Sequence, residues 1–211
     1  MFINKRYIVM KKSAYILIIL LGLCKYSQAQ SSATNLFFVG YEVAIPTNSN
    51  YLTSTSWAGM RFDYRYMIKP NVSIGIGTSY NSFNQYFPKQ TYQRTDGTGS
   101  VTSDMIRHVY TAPITASVHY YFEGKRLKPY IGVGLGTEYA EQDAYFNIYT
   151  VQATNWGFVV RPEAGLVGNL ARNVSGFLSV AYNYATNSED AFKINHLSQF
   201  PITIGLVFAA P

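Results

Sequence analysis

The 211-residue chain carries 17 basic and 11 acidic residues, a formal net charge of +6, but five of the basic residues and none of the acidic ones precede Gln30. From Gln30 onward the balance is 12 against 11, so a nucleic-acid reading, which needs a surviving basic patch, loses its main support. The single cysteine, Cys24, also falls in the first segment, which excludes a disulfide scaffold or a thiolate metal site beyond it.

That first segment reads as an export signal. Met10-Lys11-Lys12 supplies a positive start, residues 14–23 an apolar run, and Ser27-Gln28-Ala29 before Gln30 the small-x-small pattern of a signal-peptidase site. Residues 1–29 are therefore expected to be a cleaved signal peptide and 30–211 one domain, with Met10 a better initiator than Met1. A membrane anchor would need roughly 20 apolar residues, about twice this run. Leu23 is too large for the small residue that lipid attachment at Cys24 would require.

From Asn35 onward the dominant period is two, which predicts strands over 35–46, 55–68, 71–83, 106–122, 128–140, 154–169, 172–185 and 195–209. The connections at 69–71, 123–127 and 170–172 are short. Those at 47–54, 84–105, 141–153 and 186–194 are longer and polar. Short turns at one end and long loops at the other describe an up-and-down meander, as in eight-stranded antiparallel transmembrane β-barrels whose short side is periplasmic. A soluble sandwich with unequal loops is the competing reading.

The two faces of each strand separate lipid from lumen. Met60, Phe62, Tyr64, Tyr66 and Ile68 share one parity, while Arg61, Asp63 and Arg65 share the other. Ile131, Val133, Leu135 and Tyr139 oppose Gly132, Gly134, Gly136 and Glu138; Ile202, Ile204, Leu206 and Phe208 oppose Thr203 and Gly205. A soluble barrel needs apolar side chains inside and many charges outside. Here the second face is mostly Gly, Ser and Thr, which suits a narrow lumen. Glu42, Glu138, Arg161 and Glu163 take the inner parity too, so a linked ion-pair network of Glu42, Arg61, Asp63, Arg65, Glu138, Arg161 and Glu163 is expected, because unpaired interior charges are costly. Tyr64, Tyr66, Tyr120, Phe122 and Tyr130 near the short turns, and Trp57, Tyr80, Trp156, Tyr182 and Tyr184 near the long loops, form two expected aromatic belts.

The SQAQ signal end, the glycine-alternating strand 131–137 and the closing run Pro201-Ile202-Thr203-Ile204-Gly205-Leu206-Val207-Phe208 resemble the small outer-membrane β-barrel family of OmpX and the OmpA membrane domain, and the PorT-like barrels of Bacteroidetes. The closing run, with Gly205 and Phe208, is similar to the signal read by the barrel-assembly machinery, although the chain ends on Ala209-Ala210-Pro211. The resemblance implies an integral outer-membrane protein in contact with lipids and lipopolysaccharide. It names a fold more than an activity.

Chemistry is sparse. His108 and His196 begin strands four and eight, on opposite sides of an eight-membered ring, and His119 has lumen parity beside the Arg/Glu network. No catalytic set, cofactor or metal site is therefore expected, and lipid-modifying barrel enzymes are the remotest reading. Asp96, Asp104, Glu141, Asp143, Glu189 and Asp190 fall in the outer loops without the spacing of a calcium loop. Lys69, Lys125, Arg126, Lys128 and Arg172 make the short-turn end basic, which suits anionic headgroups and equally suits turn solubility. The expected role is structural or interactive: a lumen filled by side chains, and a loop surface (Tyr86, Phe87, Tyr92, Arg94) presented to envelope partners. The alternative is a narrow channel or carrier for a small solute, as in OmpW-like barrels.

Overall fold

The computed structural model describes residues 35–47, 53–93, 97–146, 149–171, 173–192 and 194–210. The signal read over 1–29, with Cys24, lies outside them, as do Arg94, Asp96 and Arg172. Among the described residues nine strands run β1 (Asn35–Pro46), β2 (Ser56–Lys69), β3 (Val72–Gln93), β4 (Ser100–Tyr121), β5 (Leu127–Phe146), β6 (Tyr149–Ala171), β7 (Val174–Ala181), β8 (Asn183–Ala185) and β9 (Leu197–Ala210). All pairings are antiparallel, and β9 returns to β1 from Asn35↔Ala210 to Pro46↔Gln199, closing the ring.

β7 and β8 are two halves of one stave, so the ring has eight members. The expected strand over 172–185 is interrupted at Tyr182 for a definite reason. The register that pairs Glu163 with Ala181 puts Tyr182 opposite Pro162. The Tyr182 N–H donates to the Pro162 carbonyl at 3.0 Å, but proline has no N–H to return the bond.

Two of the expected long loops are largely strand. β3 and β4, each 22 residues, continue through most of 84–105, and β5 and β6 through most of 141–153. β2 leaves β3 at Ser82, whereas β3 pairs with β4 as far as Gln93↔Ser100 and β5 with β6 as far as Phe146↔Tyr149. β3 to β6 thus stand above the rest as a tall four-stranded sheet. Thr, Tyr, Gln and Val in these segments suit a pleated strand, and polarity alone does not mark them as loop.

Face parity follows the two-residue period along most of each strand, and lapses in β5 where Gln142, Asp143 and Ala144 are buried in succession. Phe62, Ile76, Ile114, Val133, Leu135, Leu178 and Ile204 point outward and are exposed, whereas Arg61, Asp63 and Arg65 beside them in β2 are buried. Water would not tolerate so continuous an apolar wall, and lipid requires it. Tyr130 does not join the lower aromatic belt: it shares parity with Gly132 and Gly134 and is buried in the lumen. Substituting Val133→Arg on this wall is expected to weaken folding into lipid vesicles by about 2 to 4 kcal/mol. Urea-titrated refolding measures this, and coincident curves for the two proteins would reverse the face assignment.

Candidate functional site

The lumen is built in layers. At the short-turn end Phe38, Phe177 and Val207 form an apolar cluster with Leu36 and Val167 against it. The Phe38 and Phe177 rings meet edge-on at 5.1 Å. Tyr121 and Tyr130 continue this floor, their rings 5.3 Å apart. The expectation of an inner face mostly of Gly, Ser and Thr with charged residues among them is corrected at this end. A ring of eight strands widens little along its axis, so its interior must be filled by some bulky side chains.

Above the floor lies the charged layer. Alternation in β2 aims Arg61, Asp63 and Arg65 inward from consecutive inner positions, and in β6 it does the same for Arg161 and Glu163. Glu163 is the hub. It meets Arg61 at 2.6 Å and Arg65 at 2.9 Å, with Arg161 Nε at 3.7 Å and His119 Nε2 at 3.8 Å. Asp63 bridges Arg61 at 2.8 Å and Arg65 at 2.9 Å. Glu42 takes Arg161 at 2.8 Å. Three guanidiniums therefore face three carboxylates, which is the balance a low-dielectric interior demands.

Neutral donors complete the shell. Tyr130 OH donates to Glu163 at 2.8 Å, and Asn81 and Thr203 each donate to Glu42 at 2.8 Å. Arg161 also donates to Asn183 Oδ1 at 2.9 Å, and Arg65 to Tyr121 OH at 3.2 Å. The Arg65 guanidinium lies 3.9 Å from the Phe38 ring centre and 4.9 Å from that of Tyr130, so cation–π attraction ties the charged layer to the floor. Five of these partners (Tyr121, Tyr130, Asn81, Asn183, Thr203) do not stand out in the sequence as members of the network, although all sit on inner parity.

Glu138 is the one expected member that the structure leaves out. It is buried one level higher, opposite Pro113 and Gly157, and makes no ion pair among the described residues. Around that level lie buried Asn81, Thr111, Gln142, Asn183 and Asn187. Asn187 donates to the Glu138 carbonyl at 3.1 Å and to Asn155 Oδ1 at 2.7 Å.

The outer mouth is covered. Ala44, Phe83, Val109 and Ile194 form a second apolar cluster, packed by Phe192 and Leu197. Segment 186–194 is thus not simply a polar outer loop. A one-turn 3-10 helix, Asp190–Phe192, and a Glu189↔Ile194 bridge fold it inward because Phe192 and Ile194 are apolar. Asp143, expected in solvent, is buried and accepts from Tyr145 OH at 3.1 Å. Beside Arg61, Asp63, Ser79, Thr115 and Arg161 a void of about 10 Å³ remains, room for about one water.

On the tall sheet Tyr86 is exposed at 61%. Phe87 and Tyr92 are half-buried, the first under Arg107 at 4.5 Å and the second against Phe146 at 5.2 Å. Gly205 pairs with Gly40 across the closing seam, and Phe208 faces lipid beside Phe37. His108 packs on Tyr145 and His196 on Tyr184, in separate places. Among the described residues no set of three metal-ligating side chains converges.

The family model described as outer membrane protein beta-barrel domain matches residues 16–208. Among solved structures, the chain is similar to Ail, the attachment invasion locus protein of Yersinia pestis, solved with the heparin analogue sucrose octasulfate, at 14% identity and TM-score 0.53 over 84% of this chain and 99% of that one. Neisserial surface protein A is similar at 14% identity and TM-score 0.55, over 84% and 97% of the two chains. A major outer membrane protein of Thermus thermophilus gives 8% identity and TM-score 0.54, over 84% and 99%. These likenesses show the fold. No curated protein sequence matches.

A Cβ at Gly132 would stand 2.2 Å from His119 Cδ2. Gly132→Ala should therefore cost about 1 to 3 kcal/mol by overpacking, and His119→Ala in the same chain should recover part of it. A double-mutant cycle on urea unfolding reads this, and strict additivity would show that the two do not touch. Glu163→Gln leaves the arginine cluster undercompensated and should cost about 3 to 5 kcal/mol, read the same way.

Proposed function

The chain belongs to the outer membrane protein β-barrel domain family, and on that premise we propose that it is a closed, non-enzymatic scaffold of the bacterial outer membrane with a surface-interaction role. The observation that carries this is the filled lumen: apolar floor, balanced ion pairs, polar layer and apolar cover succeed one another along the axis. Ion transport would have to break at least the Arg61–Glu163 and Arg161–Glu42 contacts together.

The interaction role falls to the tall sheet. Its strands far exceed the 9 to 11 or so residues that suffice to cross a bilayer, so the upper parts of β3 to β6 have no structural duty within the membrane. Exposed Tyr86 and Tyr149, with half-buried Phe87 and Tyr92 on the same sheet, supply the aromatic contact area that protein interfaces favour. Arg94 is assigned to the same surface. The partners proposed are outer-membrane lipids, lipopolysaccharide and envelope proteins. Gly205 and Phe208 are assigned to recognition by the barrel-assembly machinery, after removal of residues 1–29 as a signal peptide.

Planar-bilayer recording of the refolded protein tests the scaffold reading. Electrical silence up to moderate voltages is the expected result. Steady openings would favour the narrow channel or carrier instead, and would require the charged layer to rearrange.

A further inference from the structure

The charge of the two ends is opposite. Among the described residues at the short-turn end, Lys69, Lys125, Arg126 and Lys128 stand against Glu123 alone. At the long-loop end Asp104, Glu141, Asp143, Glu189 and Asp190 outnumber Lys89 and Arg107. These four described cations belong to two adjacent turns. They sit together on one side of the rim, because β3 and β4, which these turns lead into and out of, are neighbours: Val72 pairs with Tyr120, and the Tyr121 N–H donates to the Asn71 carbonyl at 2.8 Å.

These cations are placed at the border of the apolar wall. Lys69 follows exposed Ile68, and Lys128 follows Leu127, itself exposed at 57%. Tyr66, Tyr120 and Phe122 are exposed just above. Gly124 holds the second turn in shape, since a Cβ there would lie 1.8 Å from the Leu127 carbonyl oxygen, and the tight turn carries Lys125 and Arg126 at its tip. All four cations are exposed and none forms an ion pair among the described residues.

We infer that this patch binds the anionic phospholipid headgroups of the leaflet bordering the short turns. Aromatic and aliphatic side chains directly beside the cations fix their depth at the headgroups. A docking site for an acidic soluble protein has no need of Leu127, Phe122 and Ile68 around it. Cations at headgroup depth draw anionic lipid by charge, with an effect that salt screens.

Spin-labelled lipids and electron spin resonance test the assignment in vesicles containing the refolded protein. The probes are phosphatidylglycerol and phosphatidylcholine of equal chain length, and the readout is the ratio of their motionally restricted fractions. The wild type is expected to prefer phosphatidylglycerol about threefold or more at low salt, with the preference fading as salt rises. K69Q/K125Q/R126Q/K128Q should bring the ratio close to one, while K89Q at the other end should leave it unchanged. Heat-shifted gel mobility verifies that each variant has folded. Should the fourfold variant fail that check, K125Q/R126Q at the turn tip should still lower the ratio visibly. A wild-type ratio of one overturns the inference, whether or not an acidic protein later proves to bind the rim; so does a preference that survives the substitutions.

Discussion

Every other property of this molecule depends on backbone hydrogen bonding in a medium that offers none. Inside a bilayer an unpaired N–H or C=O costs several kcal/mol, so a sheet is admissible only when it has no edge. The β1–β9 seam removes the edge. Once the ladder is closed, side chains can only alternate between lipid and lumen, and each strand acquires two unrelated surfaces. The break at Tyr182 shows how firmly the constraint holds: a single proline in the neighbouring stave costs one bond, and the register continues undisturbed on both sides.

The interior has been given a different solution at each depth. Charges are kept in the middle, balanced and hydrogen-bonded, with rings below and aliphatic and aromatic groups above. Such ion pairs add little stability over a well-packed apolar core, but removing one partner leaves a buried charge that is expensive. Their contribution is to bind β1, β2 and β6 across the lumen by contacts with strict geometry. Arg65 performs both tasks, since its guanidinium pairs with Asp63 and Glu163 while its faces rest on Phe38 and Tyr130.

The ring, its strand count and its two faces were legible because the period of two is a direct imprint of strand geometry. The inward Arg61, Asp63, Arg65, Arg161 and Glu163 could be read in that way. Which of them meet could not, because their depths depend on stagger between strands; Glu138 has the right parity and the wrong height. The floor of Phe38, Phe177 and Val207 was on inner parity as well, but bulky residues there conflict with a simple apolar-out rule. The inward fold of 186–194 and the strand character of 84–105 and 141–153 were hidden by polar composition, which marks solvent exposure rather than loop.

The seam also sets an order of events. Asn35 has Ala210 as its partner, so the first strand acquires its second neighbour only when the last has been made, and the contact spans the greatest sequence separation the fold contains. Nothing resembling a finished core can exist in a partial chain, and slow non-local pairing is the unavoidable last step. A polypeptide with 19 tyrosines and 13 phenylalanines consequently exposes aggregation-prone surface until that seam is made.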